Sequence, residues 1–332
     1  MALLKDFHIS SVSLQYLSIL ILGLVISYFY VTSKQAKLDH VPGPWLAKYT
    51  NAWRGYQAWR TNHHQAAAEN YQIRMIGKYG DVVRIGPTHV LVYDPAAIDT
   101  VLGFKERLDK GPGYQVFVMT GTTQTALVSI KDEKTHGTYR RPIANAYSLS
   151  SLKGYEPYID ETIDKLIVVL DKHGAENAPI NMTRWTQFWA FDVMSKLAFG
   201  ESLGFLEQGY DFNGMIAAQR ENFRYISVAN NFPFYDTLTK RNPFLKLIAK
   251  KPSMFFTFAK RVVSERLAKA AKADAEAQPD SKQPGRPDDL LGSFIAARKA
   301  YPLMDEQRLT HLSATNVLAG ANNSARAMVR NP

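Results

Sequence analysis

Cysteine is absent from all 332 residues. That excludes a disulfide-stapled scaffold, a cysteine-type zinc site, a cysteine nucleophile and any metal centre that this chain would hold through a thiolate. It says little about redox compartment, because a thiol-free chain suits either. Other chemical motifs are missing too: there is no His-Glu-x-x-His pair, no Gly-x-Ser-x-Gly elbow and no phosphate loop. The eight histidines include the adjacent His63-His64, and exposed, non-ligating histidines are the expectation for them. Zinc-finger, RNP-type and basic-zipper patterns are also absent, as is any internal repeat. The formal charge is nonetheless +10, from 40 Lys and Arg against 30 Asp and Glu. The cations are scattered in pairs such as Lys240-Arg241, Lys250-Lys251 and Lys260-Arg261. An anionic membrane surface or an acidic protein is therefore the expected partner, and nucleic acid is not.

What the chain does have is apolar matter: 46% hydrophobic and 12% aromatic residues, enough to bury one or two cores. From Ile9 to Ser33 no residue is charged. A helix of that length measures about 37 Å, against a hydrocarbon thickness of about 30 Å. Its apolar core runs into Tyr28, Phe29 and Tyr30 rather than a small-x-small cleavage site, which predicts an uncleaved anchor with an interfacial aromatic belt. Lys34 and Lys37 after the span, against Lys5 and Asp6 before it, place the body in the cytosol. Pro42-Gly43-Pro44 then stiffens the exit. The expected division is 1–33 anchor, 34–46 proline-rich hinge and 47–332 body.

Within the body a helix is predicted from about Gln57 to Lys78, ending at the Gly80-Asp81 turn. Val82, Val83 and Ile85, then Val90 to Tyr93, flank Gly86-Pro87 and predict a strand hairpin. Asp94-Pro95 reads as a helix cap with a first-turn proline. Lys110 to Ile130 reads as a long loop carrying Phe117, Met119 and Leu127. After it a helix ends at Ser150, and further helices are predicted for Ser151–Asp171, for Thr183–Phe199 with its stop at Gly200, and for Asp305–Arg330. Ala270 to Pro287 reads as a solvated low-complexity loop. Asn231 to Ile248 mixes aromatics with cations, which suits either an interfacial segment or ordinary core and surface. The fold class is mainly α with a small β-sheet.

Two stretches could carry chemistry. In His136-Gly137-Thr138-Tyr139-Arg140-Arg141-Pro142, His136 and Arg140 stand four apart on one helical face. A forked guanidinium suits a carboxylate, and a surface histidine with solvated arginines is the plain alternative. In Ala319-Gly320-Ala321-Asn322-Asn323-Ser324, a small pair interrupts an otherwise apolar helical pattern. Asn181-Met182-Thr183 and Asn322-Asn323-Ser324 also fit the glycosylation pattern, which a cytosolic body would leave unused.

Both stretches resemble the heme-thiolate monooxygenases, the cytochrome P450 family. The resemblance extends to Lys78–Pro87, Tyr93–Ile98, Gly111–Tyr114, Arg141–Ser148 and Phe191–Gly200, and looks most like the fungal branch that includes pisatin demethylase. It covers essentially Pro42 to Arg330, and its specificity lies in the order and spacing of the motifs. It implies that His136 and Arg140 hold a heme propionate, and that the loop with Phe117, Met119 and Leu127 lines a pocket for apolar secondary metabolites. It implies that Phe191–Gly200 is a core helix. It also implies an endoplasmic-reticulum membrane as surroundings and an NADPH-dependent reductase as partner. The chain departs from the pattern in having Asn322 and Asn323 where the family has an acid and a threonine. An amide holds no titratable proton near pH 7, and Ser324 is a weak substitute for the relay hydroxyl. With no cysteine to ligate the iron, the expectation is the front part of a monooxygenase, cut before its heme ligand, not binding the family's heme stably, and inactive alone. A membrane-tethered, non-catalytic interaction protein derived from such an enzyme is the alternative.

Overall fold

The computed structural model describes residues 11–60, 65–103, 108–118, 126–240, 242, 244, 254–276 and 289–330. Two compact units emerge: one made of residues 1–108 and 224–236, the other of 109–223 and 237–332.

The first unit opens with α1 (Ser11–Gln35). Its stretch Gln15–Lys34 has a mean hydropathy of 1.8 and is almost wholly uncovered by protein. A helix apolar on every side and covered, among the described residues, only near its end is compatible with a membrane anchor. Helix α2 (Ala52–Arg60) and helix α3 (Gln65–Tyr79) cover the predicted helix on either side of residues 61–64, which lie outside the described residues. Gly80 follows at φ 92° and turns the chain into β1 (Val82–Gly86), which pairs antiparallel with β2 (His89–Val92). The expected hairpin is present, and among the described residues it is the whole sheet. Asp94 accepts from the Ala96 amide at 2.8 Å and caps a 3-10 turn that leads to α4 (Ile98–Val101), as its Asp-Pro pair predicts.

Arg84 organises this unit. Its side chain is fully buried and donates to the carbonyls of Ser33 at 2.8 Å and Pro87 at 2.9 Å. Longer bonds reach Gly86 and Lys48, both at 3.4 Å, and Asp39 lies 3.6 Å away. The end of α1, the hinge and the hairpin are thus tied to one guanidinium, whose five donors match several acceptors at once. Gly43 fits because the Arg84 carbonyl occupies the place where its Cβ would stand.

The second unit holds the larger core. Helix α5 (Glu133–Arg140) passes into a 3-10 turn at Arg141–Tyr147, so the helix expected to reach Ser150 ends ten residues early. Pro142 is the reason: it lacks an N–H and fixes its own φ. Ser148 then caps α6 (Leu149–Lys153), and α7 (Glu156–Ala175) starts afresh with Pro157 in its first turn. One predicted helix is therefore two.

Helix α8 (Met182–Phe199) is capped by Asn181, which accepts from the Arg184 amide at 3.1 Å, and stops at left-handed Gly200. It is the core helix expected, with Phe188, Phe191, Val193, Ala198 and Phe199 buried. Asp192 on it accepts the amides of Gly204, Phe205 and Leu206 at 2.8–3.0 Å and so fixes α9 (Phe205–Gln208). Burial pushes this carboxyl up, and the three amides pull it partly back. Helix α10 (Met215–Ala229) and helix α11 (Pro233–Thr239) follow. Phe234, Tyr235, Leu238 and Phe244 are exposed in the segment that suits either an interface or ordinary core and surface. Helix α12 (Met254–Glu276) runs into the stretch expected to be loop, since alanine, lysine and glutamate are good helix formers. Residues 277–288 lie outside the described residues. Asp289 accepts both Arg266 nitrogens, at 2.8 and 3.1 Å, and caps α13 (Leu290–Arg298). Helix α14 (Glu306–Arg330) packs along α8 and α12. Its Gly320 faces Met194, whose side chain a Cβ there would overlap.

Candidate functional site

Asp132 starts α5 by accepting the Thr135 amide at 2.6 Å, and the helix is then eight residues long. That is enough for His136 and Arg140 to stand one turn apart on one face. Asp305 starts α14 in the same way, accepting the Arg308 amide at 2.7 Å. Arg308, His311 and Thr315 follow at helical spacing, with Leu312 and Asn316 beside them. These two helical faces line one cavity of about 510 Å³. Leu127 and Ala126, from the preceding loop, and Ile143, Ala144 and Tyr147, from the 3-10 turn, complete an apolar wall.

Among the described residues the lining holds two arginines and two histidines and no acid. Arg140 sits exposed at the rim, while Arg308 and His311 are each only 6% exposed. The Arg308 guanidinium lies 3.9 Å from the centre of the Tyr139 ring, a stacking geometry that favours a desolvated cation. His311 meets the edge of Phe256 at 5.5 Å, and its Nδ1 has no hydrogen-bond partner. Desolvation pushes His311 down, Arg308 adds to that, and Asp305 opposes it. Desolvation likewise lowers His136, helped by Lys110 and opposed by Glu133, whose carboxylate is 3.8 Å from Nδ1. Both rings are therefore neutral near pH 7, and the fixed positive charge comes from the arginines. Burial pushes the Tyr147 phenol up to about 12 despite Asn316, so it serves only as a neutral hydroxyl.

Such a cavity suits an apolar body that carries carboxylates. The forked cations give bidentate donors, the histidines add single donors, and the apolar wall removes the competition of water.

Of the residues singled out in the sequence, His136, Arg140 and Leu127 come together here. Phe117 is half-buried against Tyr114 and does not line the cavity. Met119 lies outside the described residues. Ala319 is exposed, Gly320 is spent on the approach of α14 to α8, and neither lines the cavity. Asn322, Asn323 and Ser324 continue the α14 backbone, with side chains outside the described set. His311 corrects the expectation of exposed histidines. Sequence reasoning missed it together with Arg308. The available signal was a polar stripe, Arg308-His311-Thr315, on a helix otherwise apolar on that side.

The family described as cytochrome P450 matches residues 49–329. A cytochrome P450 monooxygenase of Emericella nidulans, cicH, is 31% identical over 309 residues, covering 92% of this chain and 59% of that protein. The monooxygenase asR2 of Sarocladium schorii is 29% identical over 333 residues, covering 99% of this chain and 63% of that protein. The chain thus spans about three-fifths of the length of these curated relatives. The helical fold with its small sheet agrees with that match over most of its length, and the chain belongs to the cytochrome P450 family.

Proposed function

We propose that this chain is the membrane-anchored, amino-terminal portion of a fungal heme-thiolate monooxygenase acting on apolar small molecules of secondary metabolism. We assign the His136 and Arg140 pair to the carboxylate edge of its heme. The observation that carries this reading is the cation-lined cavity between α5 and α14, free of acids among the described residues. Heme with a thiolate on its iron supplies the activation of dioxygen for inserting oxygen into a C–H bond. The residues present fit one part of that group. Arg140 at the rim and His136 behind it offer donors to a carboxylate, and Ile143, Ala144 and Leu312 offer an apolar wall to a flat ring. They do not fit the other part, because no cysteine stands anywhere in the 332 residues to supply a thiolate.

The chain's own contribution is therefore binding, orientation and exclusion of water. Arg140 is the charged clamp, and His136, neutral near pH 7, donates one hydrogen bond. Leu127 closes the loop side of the cavity. Asn322 offers an amide where proton delivery calls for an acid, and Asn323 can donate a hydrogen bond but relays no proton. The chain by itself is accordingly inactive in oxygenation. Helix α1 anchors it in the endoplasmic-reticulum membrane with the body in the cytosol, where an NADPH-dependent reductase would reach it. The non-catalytic tethered alternative has no observation of its own behind it.

The test is hemin binding by the full chain in detergent. Arg140→Gln should weaken hemin about tenfold, the loss of one charge-assisted bond. Reduced, carbon-monoxide-treated hemin complex should lack the red-shifted Soret band of a thiolate-ligated iron. Undiminished hemin affinity in Arg140→Gln would overturn the assignment. For the anchor, carbonate-washed membranes should retain the chain, and protease added to sealed vesicles should digest the body.

A further inference from the structure

The stretch expected to be a hinge, residues 34–46, is bonded to the body almost turn by turn. Lys34, in the last turn of α1, pairs with Asp39 at 2.6 Å. Between them the chain reverses at Lys37, whose φ of 50° is left-handed. A residue with a Cβ keeps that conformation where its surroundings fix it. The Val41 amide donates to the Leu38 carbonyl at 3.1 Å and closes the turn. The Arg84 amide then donates to the Pro42 carbonyl at 2.7 Å, which bonds the hinge to β1 itself. Pro42 and Pro44 hold φ on either side of Gly43, which lies hard against the Arg84 carbonyl. Both ends of the stretch meet at one side chain. The Arg84 Nη2 donates to the Ser33 carbonyl at 2.8 Å and to the Lys48 carbonyl at 3.4 Å. Ser33 is in the last turn of α1, where carbonyls lack intrahelical donors and the helix dipole is negative, so a guanidinium suits it twice over. Ser33 is itself buried, so the end of α1 is packed into the first unit, to which all these residues belong.

We propose that Arg84 makes the membrane span and the first unit one rigid body, so that the bilayer fixes which side of that unit faces it. The connection is a strut rather than a tether. A free chain of the same length would let its ends wander over about 20 Å. Here one buried guanidinium holds both ends, and backbone bonds hold the turns between them. The proposal rests on the reading of α1 as a membrane anchor, and the experiment reports on that reading separately.

The absence of cysteine makes the test clean, because introduced thiols are the only ones to label. Nitroxides are attached at Leu22→Cys in the span and Val92→Cys in β2, both exposed positions. The full chain is held in phosphatidylcholine nanodiscs, and distances are read by pulsed electron spin resonance. A second pair, Ala52→Cys with Val92→Cys, reports the first unit alone. The span-to-body distribution should be as narrow as the body-to-body one. A span-to-body spread approaching about 20 Å would overturn the proposal, and that arm leaves Arg84 in place. Arg84→Lys keeps the charge and loses the fork, and should widen the span-to-body distances several-fold while the body pair stays narrow. Unchanged span-to-body distances in that variant would overturn the role given to Arg84. Widening of both pairs would do so too, because Arg84 would then hold the unit together and not couple it. Asp39→Asn spares the buried guanidinium and should widen the first pair less than Arg84→Lys does. A larger widening would move the role to the Lys34 and Asp39 pair and overturn the proposal. The Leu22 nitroxide also checks the anchor, since oxygen should relax it and a water-soluble nickel chelate should not. Nickel access at Leu22 would remove the anchor reading and the proposal with it, even if the distances stay narrow.

Discussion

Each compact unit withdraws one arginine from water, and the two are treated in opposite ways. Arg84 in the first unit is surrounded by backbone carbonyls from α1, the hinge turn and the hairpin. Its charge is absorbed by the fold, and its work is to hold segments together. Arg308 in the second unit stacks on Tyr139 at the wall of a cavity whose lining, among the described residues, contains no acid. It borders a cavity and is held by a ring face, where Arg84 is held by carbonyls. A buried cation among carbonyl dipoles ties segments together, and one at a cavity wall shapes what the cavity can hold.

Substituting the two arginines should break this pairing most visibly. Arg84→Met strips several buried carbonyls of their donor and should cost about 3 kcal/mol or more, at roughly 1–3 kcal/mol for each unsatisfied group. Arg308→Met should change stability by less than about 1 kcal/mol, because it removes a desolvated charge along with its bonds. Urea-unfolding midpoints of the full chain in detergent read both, and equal losses would dissolve the distinction.

Two glycines sharpen it further. Gly43→Ala would drive a methyl into the Arg84 carbonyl and should cost about 2 kcal/mol, because backbone yields less readily than a side chain. Gly137, in α5 beside the cavity, has open space around a built Cβ. Gly137→Ala should raise stability by about 0.5–1 kcal/mol through helix propensity. Thermal melts of the two variants should move in opposite directions.

The first unit should also be the acid-sensitive one. Burial, reinforced by Arg54, pushes His89 down to about 4 from 6.5. The folded state therefore prefers the neutral ring. Its contribution is complete above the unfolded value near 6.5 and is lost as pH falls toward 4. His89 is only half-buried, so after solvent screening the effect is about 1 kcal/mol. His89→Asn should flatten stability between pH 6.5 and 4. An unchanged slope in the variant would show that other groups carry the acid response. The smallest effect is expected at Lys165, whose exposed pairs with Glu161 and Glu207 lie at 3.8 and 3.1 Å. Lys165→Ala should shift the urea midpoint by less than about 0.5 kcal/mol equivalent.

Much of the local structure was legible because single residues enforce it. Apolar runs on either side of Gly86-Pro87 specified the hairpin, Asp94-Pro95 a cap, and Gly200 a helix end. Boundaries failed where a proline acted one turn away from where it was noticed. Pro142 ended α5 at Arg140, and Pro157 restarted a helix inside an apparently continuous pattern. Asn181, read as part of a glycosylation pattern, caps α8. At the site, His136 and Arg140 were visible because four-residue spacing on a helix is a local property. Arg308 and His311 were not, because their meaning depends on which wall α14 presents to α5 across more than 160 residues of chain. Arg84 was hidden for the same reason: alternation along β1 marks it as a strand residue but says nothing of carbonyls from Ser33 and Lys48.

The central claim is that the cavity between α5 and α14 is built for a carboxylate-bearing flat ring. Protoporphyrin IX and its dimethyl ester share that ring and differ in their two carboxylates. The direct measurement is the affinity of the unmodified chain for each, by fluorescence quenching at pH 7.5. The account predicts that the diacid binds at least about tenfold more tightly, from one or more charge-assisted contacts. Equal affinities, or a preference for the ester, would contradict it.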